Sequence, residues 1–140
     1  MRRGLATKER VEILKMRDYR KLEVWRIAVD LNKLVYGVSE RFPKSEVYGL
    51  TSQIRRASVS ISSNIAEGCG RRTGKNFVQF LHNAFGSLRE VGSQLILARD
   101  LDYISSGDFD ELNGMIIKLS KKLSHFIKYI GSVEDNRIYK

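Results

Sequence analysis

The chain has 140 residues and a mass of 16.1 kDa, room for one domain with a single core and too little for two. Its 42% hydrophobic content suits a globular protein, and the lone Pro43 beside few strand-like runs tilts it toward helix. A net charge of +9 points to nucleic acid among possible partners, while the single cysteine, Cys69, excludes an intramolecular disulfide and any cysteine-built metal centre.

The charge is unevenly spread. Eight of the 25 Lys/Arg residues lie between Met1 and Lys21, against Glu9, Glu12 and Asp18; the remainder carries 17 basic and 13 acidic residues. We read residues 1–18 as a basic extension, disordered or a short helix, and residues 19–140 as the folded unit. No apolar run approaches the roughly 18 residues of a membrane span, and the N-terminus lacks the apolar core of a secretory signal. A cytoplasmic protein without membrane contact is expected.

Four segments carry helical periodicity, expected over about 22–41, 46–68, 74–101 and 107–131. In the first, Val24, Ala28, Leu31, Val35, Val38 and Phe42 alternate spacings of four and three, and Pro43 closes it. Ser45 with Glu46 reads as the next start, and Leu50, Ile54, Ala57, Ile61 and Ile65 lead to a stop at Gly68 and Gly70. Thr73 is the expected cap of the third, whose stripe is Phe77, Leu81, Ala84, Leu88, Val91, Leu95 and Ala98. The fourth follows Ser105, Ser106 and Gly107, with Phe109, Leu112, Ile116, Leu119, Leu123, Phe126 and Ile130.

Sustained four-three spacing with short connections predicts an all-α fold, an antiparallel up-down-up-down left-handed four-helix bundle. Residues 57–62, Ala-Ser-Val-Ser-Ile-Ser, alternate like a strand. A lone strand would leave its backbone unpaired, so the helical reading prevails and the serines become small residues at close helix approaches. Gly37, Gly86, Gly92 and Gly114, each costing about 1 kcal/mol in a helix interior relative to alanine, suggest tight contacts within the bundle or between subunits.

Catalytic patterns are missing. Gly68, Gly70, Gly74 and Lys75 imitate a phosphate loop, yet Cys69 stands where its first glycine belongs and Asn76 where its Ser/Thr belongs. His82 and His125 lie on different segments with no carboxylates at ligand spacing, and no Glu-x-x-His motif of a di-iron bundle occurs. Cys69 beside Arg71 and Arg72 has no base placed to activate it. No catalytic residue, metal or cofactor is assigned, and a hydrolase or nuclease lacks the acid cluster that would hold its metal.

The charged residues divide in two. Antiparallel pairing about the turn at residues 71–74 sets Arg55 or Arg56 beside Glu90, a salt bridge in or between bundles; Asn64, Glu67 and Gly68 complete this structural motif, with Glu67 reaching Lys75 or the turn amides. The turn residues Arg71, Arg72 and Lys75 are the best candidates for phosphate contacts, with Arg55 and Arg56 as further candidates. Lys118, Lys121, Lys122 and Lys128 read as a solvated helix face.

The run from Gln53 to Gly68, continued by Gly70-Arg71-Arg72, Phe77, Phe80-Leu81, Gly86-Ser87-Leu88 and Glu90, with Tyr19 to Trp25, Phe42-Pro43 and Tyr48-Gly49-Leu50 before it, resembles a known family. It is similar to the four-helix bundle proteins encoded within intervening sequences of bacterial large-subunit ribosomal RNA genes, from near Tyr19 to about Ile130. The resemblance implies a ring-like homopentamer and kinship with the accessory variability determinant of diversity-generating retroelements, which binds nucleic acid and a reverse transcriptase. The family offers no catalytic residues to carry over. Cys69 stands where it commonly has an aromatic residue. The expected function is therefore a non-enzymatic homo-oligomer that binds RNA or DNA through basic surfaces; the alternative is a protein-interaction scaffold that does not bind nucleic acid.

Overall fold

A computed structural model of the chain describes residues 17–133, so the extension expected over 1–18 lies outside the described residues apart from Arg17 and Asp18. Four α-helices follow: α1 over Glu23–Ser39, α2 over Leu50–Cys69, α3 over Gly74–Asp100 and α4 over Ser106–Ser132. Single 3-10 turns at Tyr19–Lys21 and Lys44–Glu46 are the other regular elements among the described residues.

The apolar stripes become the core. Every stripe residue named above is buried except Phe126, which is half-buried, with its ring edge-on to Phe77 at 5.6 Å between centroids. Leu31, Ile61, Ile65, Phe77, Leu81, Leu119 and Leu123 lose essentially all solvent contact. Burying such side chains stabilises by about 1.5–3 kcal/mol each, which is why periodicity decides the fold. Each helix packs on its neighbours in the cyclic order α1, α2, α3, α4.

Side-chain bonds fix the helix directions. Asn32 meets Ser62 at 2.8 Å while Ser39 Oγ accepts from Arg55 Nε at 2.8 Å, so α1 and α2 run in opposite senses. Lys122 pairs with Glu23 and Arg41 with Asp108, which makes α1 and α4 antiparallel too. The fold is an all-α four-helix bundle.

Two helix ends differ from expectation. α1 stops at Ser39 rather than about 41, because Arg41 N and Phe42 N bond back three residues to Val38 O and Ser39 O, both at 3.1 Å, tightening the chain out of the helix before Pro43. α2 starts at Leu50 rather than at Ser45-Glu46. Those two residues belong to the Lys44–Glu46 turn, and Glu46 acts from outside: its Oε1 accepts from Leu50 N at 3.2 Å, placing a negative charge at the helix N-terminus. Gly49 makes room for this, since a Cβ there would come within 2.5 Å of that oxygen. The other carboxylate oxygen accepts from Tyr103 Oη at 2.9 Å, joining the two connections at this end of the bundle.

The later helices are capped by side chains. Thr73 Oγ1 accepts from Asn76 N at 3.1 Å and Ser105 Oγ from Asp108 N at 3.1 Å. α3 ends with Asp102 in the left-handed region, φ 59°, while Tyr103 N bonds Ala98 O at 2.8 Å.

The strand-like serine run lies wholly within α2, and its two-residue rhythm has a helical cause. Ser58 and Ser62 turn toward α1, where Asn32 lies against Ser62; turning its amide so that oxygen accepts from Ser62 brings its nitrogen 3.1 Å from Ala28 O. Ser60 turns toward α3, where its Oγ accepts from Ser87 Oγ at 2.9 Å and from Asn64 Nδ2 at 3.0 Å. Small polar side chains thus flank the Ile54–Ala57–Ile61–Ile65 stripe on both sides.

The glycines correct the expectation of tight intrabundle contacts. A Cβ on Gly37, Gly86, Gly92 or Gly114 would meet nothing within 4 Å among the described residues, so these positions face open space. Gly68 is the glycine crowded at a helix–helix contact: its Cβ would come 2.8 Å from Phe77 Cδ1 and 3.0 Å from Phe80 Cβ. Only a residue without a side chain lets α3 approach so closely.

Candidate nucleic-acid interface

The connection between α2 and α3 occupies residues 70–73, and its shortness holds Arg71, Arg72 and Lys75 at one end of the bundle. Arg71 is engaged from two sides: its guanidinium stacks over the Phe80 ring at 4.3 Å, and its Nη2 lies 3.7 Å from Glu67 Oε2. Glu67 therefore pairs with Arg71, rather than with Lys75 or the turn amides as expected. One turn of helix separates the two residues, so they reach each other within their own backbone segment. Arg72 and Lys75 are exposed and form no ion pair with any described residue. Their charges stand next to the N-terminus of α3, whose unpaired amide groups add positive potential.

Arg55 and Arg56 are elsewhere. They lie 15 to 17 residues before this cluster on α2, about 22 Å or more along the axis, and do not join it. Arg55 turns toward α1, where Nε donates to Ser39 Oγ at 2.8 Å, Nη2 donates to Tyr36 O at 3.3 Å and to Glu40 Oε2 at 3.0 Å, and the guanidinium covers the Tyr36 ring at 4.7 Å. Of the two arginines, Arg55 is thus not the one that lies near Glu90.

Arg56 does share a surface with Glu90. Together with Tyr48, Gln53, Ser60, Ser87 and Gln94 they line a polar groove of about 480 Å³ between α2 and α3, with no ion pair between the two. Numbers alone matched the axial level; adjacent helical residues differ by about 100° in direction, and that rotation sent Arg55 the other way. Asn64 donates to Ser60 O at 2.8 Å as well as to its hydroxyl, and so supports the α2–α3 contact.

No group of three His, Cys, Asp or Glu side chains able to hold a metal occurs among the described residues. His82 and His125 are exposed on α3 and α4. Cys69 is buried, and its thiol is pushed up to about 12, first by desolvation and then by the Asp18 carboxylate. Such a thiol stays protonated and inert at neutral pH. No described helix is long and apolar enough to cross a membrane.

Sequence reasoning dismissed one surface that the structure assembles. Leu22, Glu23 and Val24 at the start of α1 face Lys118, Lys121, Lys122, His125, Phe126 and Tyr129 of α4 across an open groove. The signal was in the α4 pattern, where Tyr129 lies on the turn above the lysine-bearing face, but the facing residues come from nearly 100 positions earlier.

A crystal structure from Bacteroides thetaiotaomicron VPI-5482, of a protein with unknown function from the S23 ribosomal protein family, superposes with a TM-score of 0.70. It is 21% identical and is matched over 98% of its length and 75% of this chain, which is a likeness of fold. No curated protein matches the chain. The description "23S rRNA-intervening sequence protein" matches residues 20–125, from the first 3-10 turn to well into α4. With the bundle and the match spanning the same helices, the chain belongs to the 23S rRNA-intervening sequence protein family.

Proposed function

We propose that the chain is a non-catalytic, cytoplasmic bundle protein that self-assembles, as a homopentamer, and binds RNA or DNA through repeated basic turns. The observation that carries this reading is the pair of exposed cations Arg72 and Lys75 beside the N-terminus of α3, without carboxylate partners among the described residues. Such cations attract phosphate by Coulomb interaction and by release of condensed counterions. Arg71, held by Glu67 and Phe80, contributes a rigid flank, and Arg56 adds a weaker second contact. One turn is a small footprint; several copies in one assembly would raise it by avidity.

Self-assembly draws support from the open faces at Gly37, Gly86 and Gly114, which nothing in the bundle explains, and from exposed Val59, Ile96, Leu97 and Ile117. By the analogy of fold kinship, a reverse transcriptase is one protein partner for such a ring.

Retention of mixed RNA and DNA across a salt series tests the reading. Binding at low salt should weaken as salt rises, and Arg72→Ala with Lys75→Ala should lower the log-log salt slope by about one per lost phosphate contact and per engaged copy. No retention at low salt, or a slope untouched by the double substitution, would overturn it. Light scattering should give a pentameric mass at micromolar concentration, and a monomeric mass would remove the avidity argument.

A further inference from the structure

The seam between α1 and α4 is held near its ends by Glu23–Lys122 and Arg41–Asp108 and opens at the Glu23 end into a groove of about 660 Å³. That volume lies within the range of built ligand sites. Its apolar surface comes chiefly from half-buried Phe126 and from Tyr129, which is 41% exposed, while Leu22 and Val24 are buried and form the floor. Its charge is one-sided: Lys118, Lys121 and Lys122 line the α4 wall, and the α1 wall carries one carboxylate, Glu23, already held by Lys122.

This asymmetry selects among occupants. A nucleic-acid strand would set one phosphate edge against Glu23 and apolar side chains. The chain's own N-terminal residues carry Arg2, Arg3, Lys8, Arg10 and Lys15 against Glu9 and Glu12, the same sign as the lysine wall. A neutral or basic helix would cover the apolar surface and leave the lysines unmatched. Residues 118–129 span about 16 Å of helix, three turns.

We propose that this groove receives an acidic amphipathic helix of a partner protein, about three turns long. Its apolar residues, spaced i, i+3 or i+4, i+7, would seat on Phe126 and Tyr129 over the floor formed by Leu22 and Val24, and its Asp/Glu flank would lie along Lys118 and Lys121. Charge then fixes the orientation of the helix and its on-rate, while the apolar contact supplies residence time.

The probe is a fluorescent acidic peptide of about 14 residues with that spacing, titrated with the full-length protein and read by anisotropy. Saturable binding is expected, weakened about tenfold or more by Lys118→Glu with Lys121→Glu, and separately by Tyr129→Ala. A scrambled peptide of identical composition should bind about tenfold more weakly. Equal binding of the scrambled peptide, or indifference to both sets of substitutions, would overturn the proposal. So would oligouridylate binding that depends on Lys121 and Tyr129 while the peptide fails to bind, an outcome that assigns the groove to nucleic acid. All three substituted side chains are exposed or partly so, and circular dichroism melts establish that the variants fold. Arg72→Ala with Lys75→Ala should leave peptide binding unchanged, which separates this site from the basic turn.

Discussion

Two seams of the same bundle are built on opposite terms. Between α2 and α3 the helices approach until Gly68 touches Phe77 and Phe80, and the Ser60–Ser87–Asn64 hydroxyl and amide groups satisfy one another. Between α1 and α4 the described tie points are exposed ion pairs, and the helices part into a groove. The first seam is specified by size, where one added carbon collides. The second is specified by charge in water, where each pair contributes little and geometry is loose. A residue-dense stretch such as Gln53 to Glu90 therefore marks where the chain packs tightest, while room for a partner opens where the sequence looks least demanding.

The largest test of that contrast is Gly68→Ala. Overpacking against the fully buried Phe77 should cost about 1–3 kcal/mol, read as a lowered denaturation midpoint with an unchanged slope. The same substitution at Gly86, where space is open, should stabilise or leave the monomer unchanged; equal losses at both positions would show that Gly68 is not held by the tight α2–α3 contact described.

A smaller effect is expected at the loose seam. The Lys122 ammonium bonded to Glu23 holds that carboxyl below its ordinary value of 4.5. The folded state thus favours the ionised form, so the contribution is present above the unfolded value and is lost as pH falls through the lower folded value. Glu23→Gln should lower the melting temperature slightly near neutral pH, and the difference from the parent should shrink as pH falls below about 4.5, which flattens the acid limb. An unaltered acid limb would mean the pair contributes nothing.

Much of the fold was legible. The four stripes specify axial spacing, and a buried residue every three or four positions leaves little freedom in which faces meet. Ser45-Glu46 misled because a side chain that serves a helix N-terminus from outside has the same composition as one that begins it. Which of Arg55 and Arg56 lies near Glu90 was not legible, because residue number sets height along an axis and not direction around it. The basic turn was legible from adjacency alone, although the Phe80 ring under Arg71 was not, since the cation lies in the connection and the ring on α3. The groove was least legible, being made of residues nearly 100 positions apart.

Glu46 has a further consequence, and it concerns time. Its carboxylate bonds Leu50 N and Tyr103 Oη at once, a closure across 57 residues that needs both helical hairpins already docked. A contact completed so late is weak in the folding transition state and full in the native state. Its strength then governs how slowly the bundle opens rather than how fast it forms. Glu46→Gln should steepen neither limb of the kinetic chevron but raise the unfolding rate several-fold at constant refolding rate, and a slowed refolding limb instead would place this corner in the nucleus.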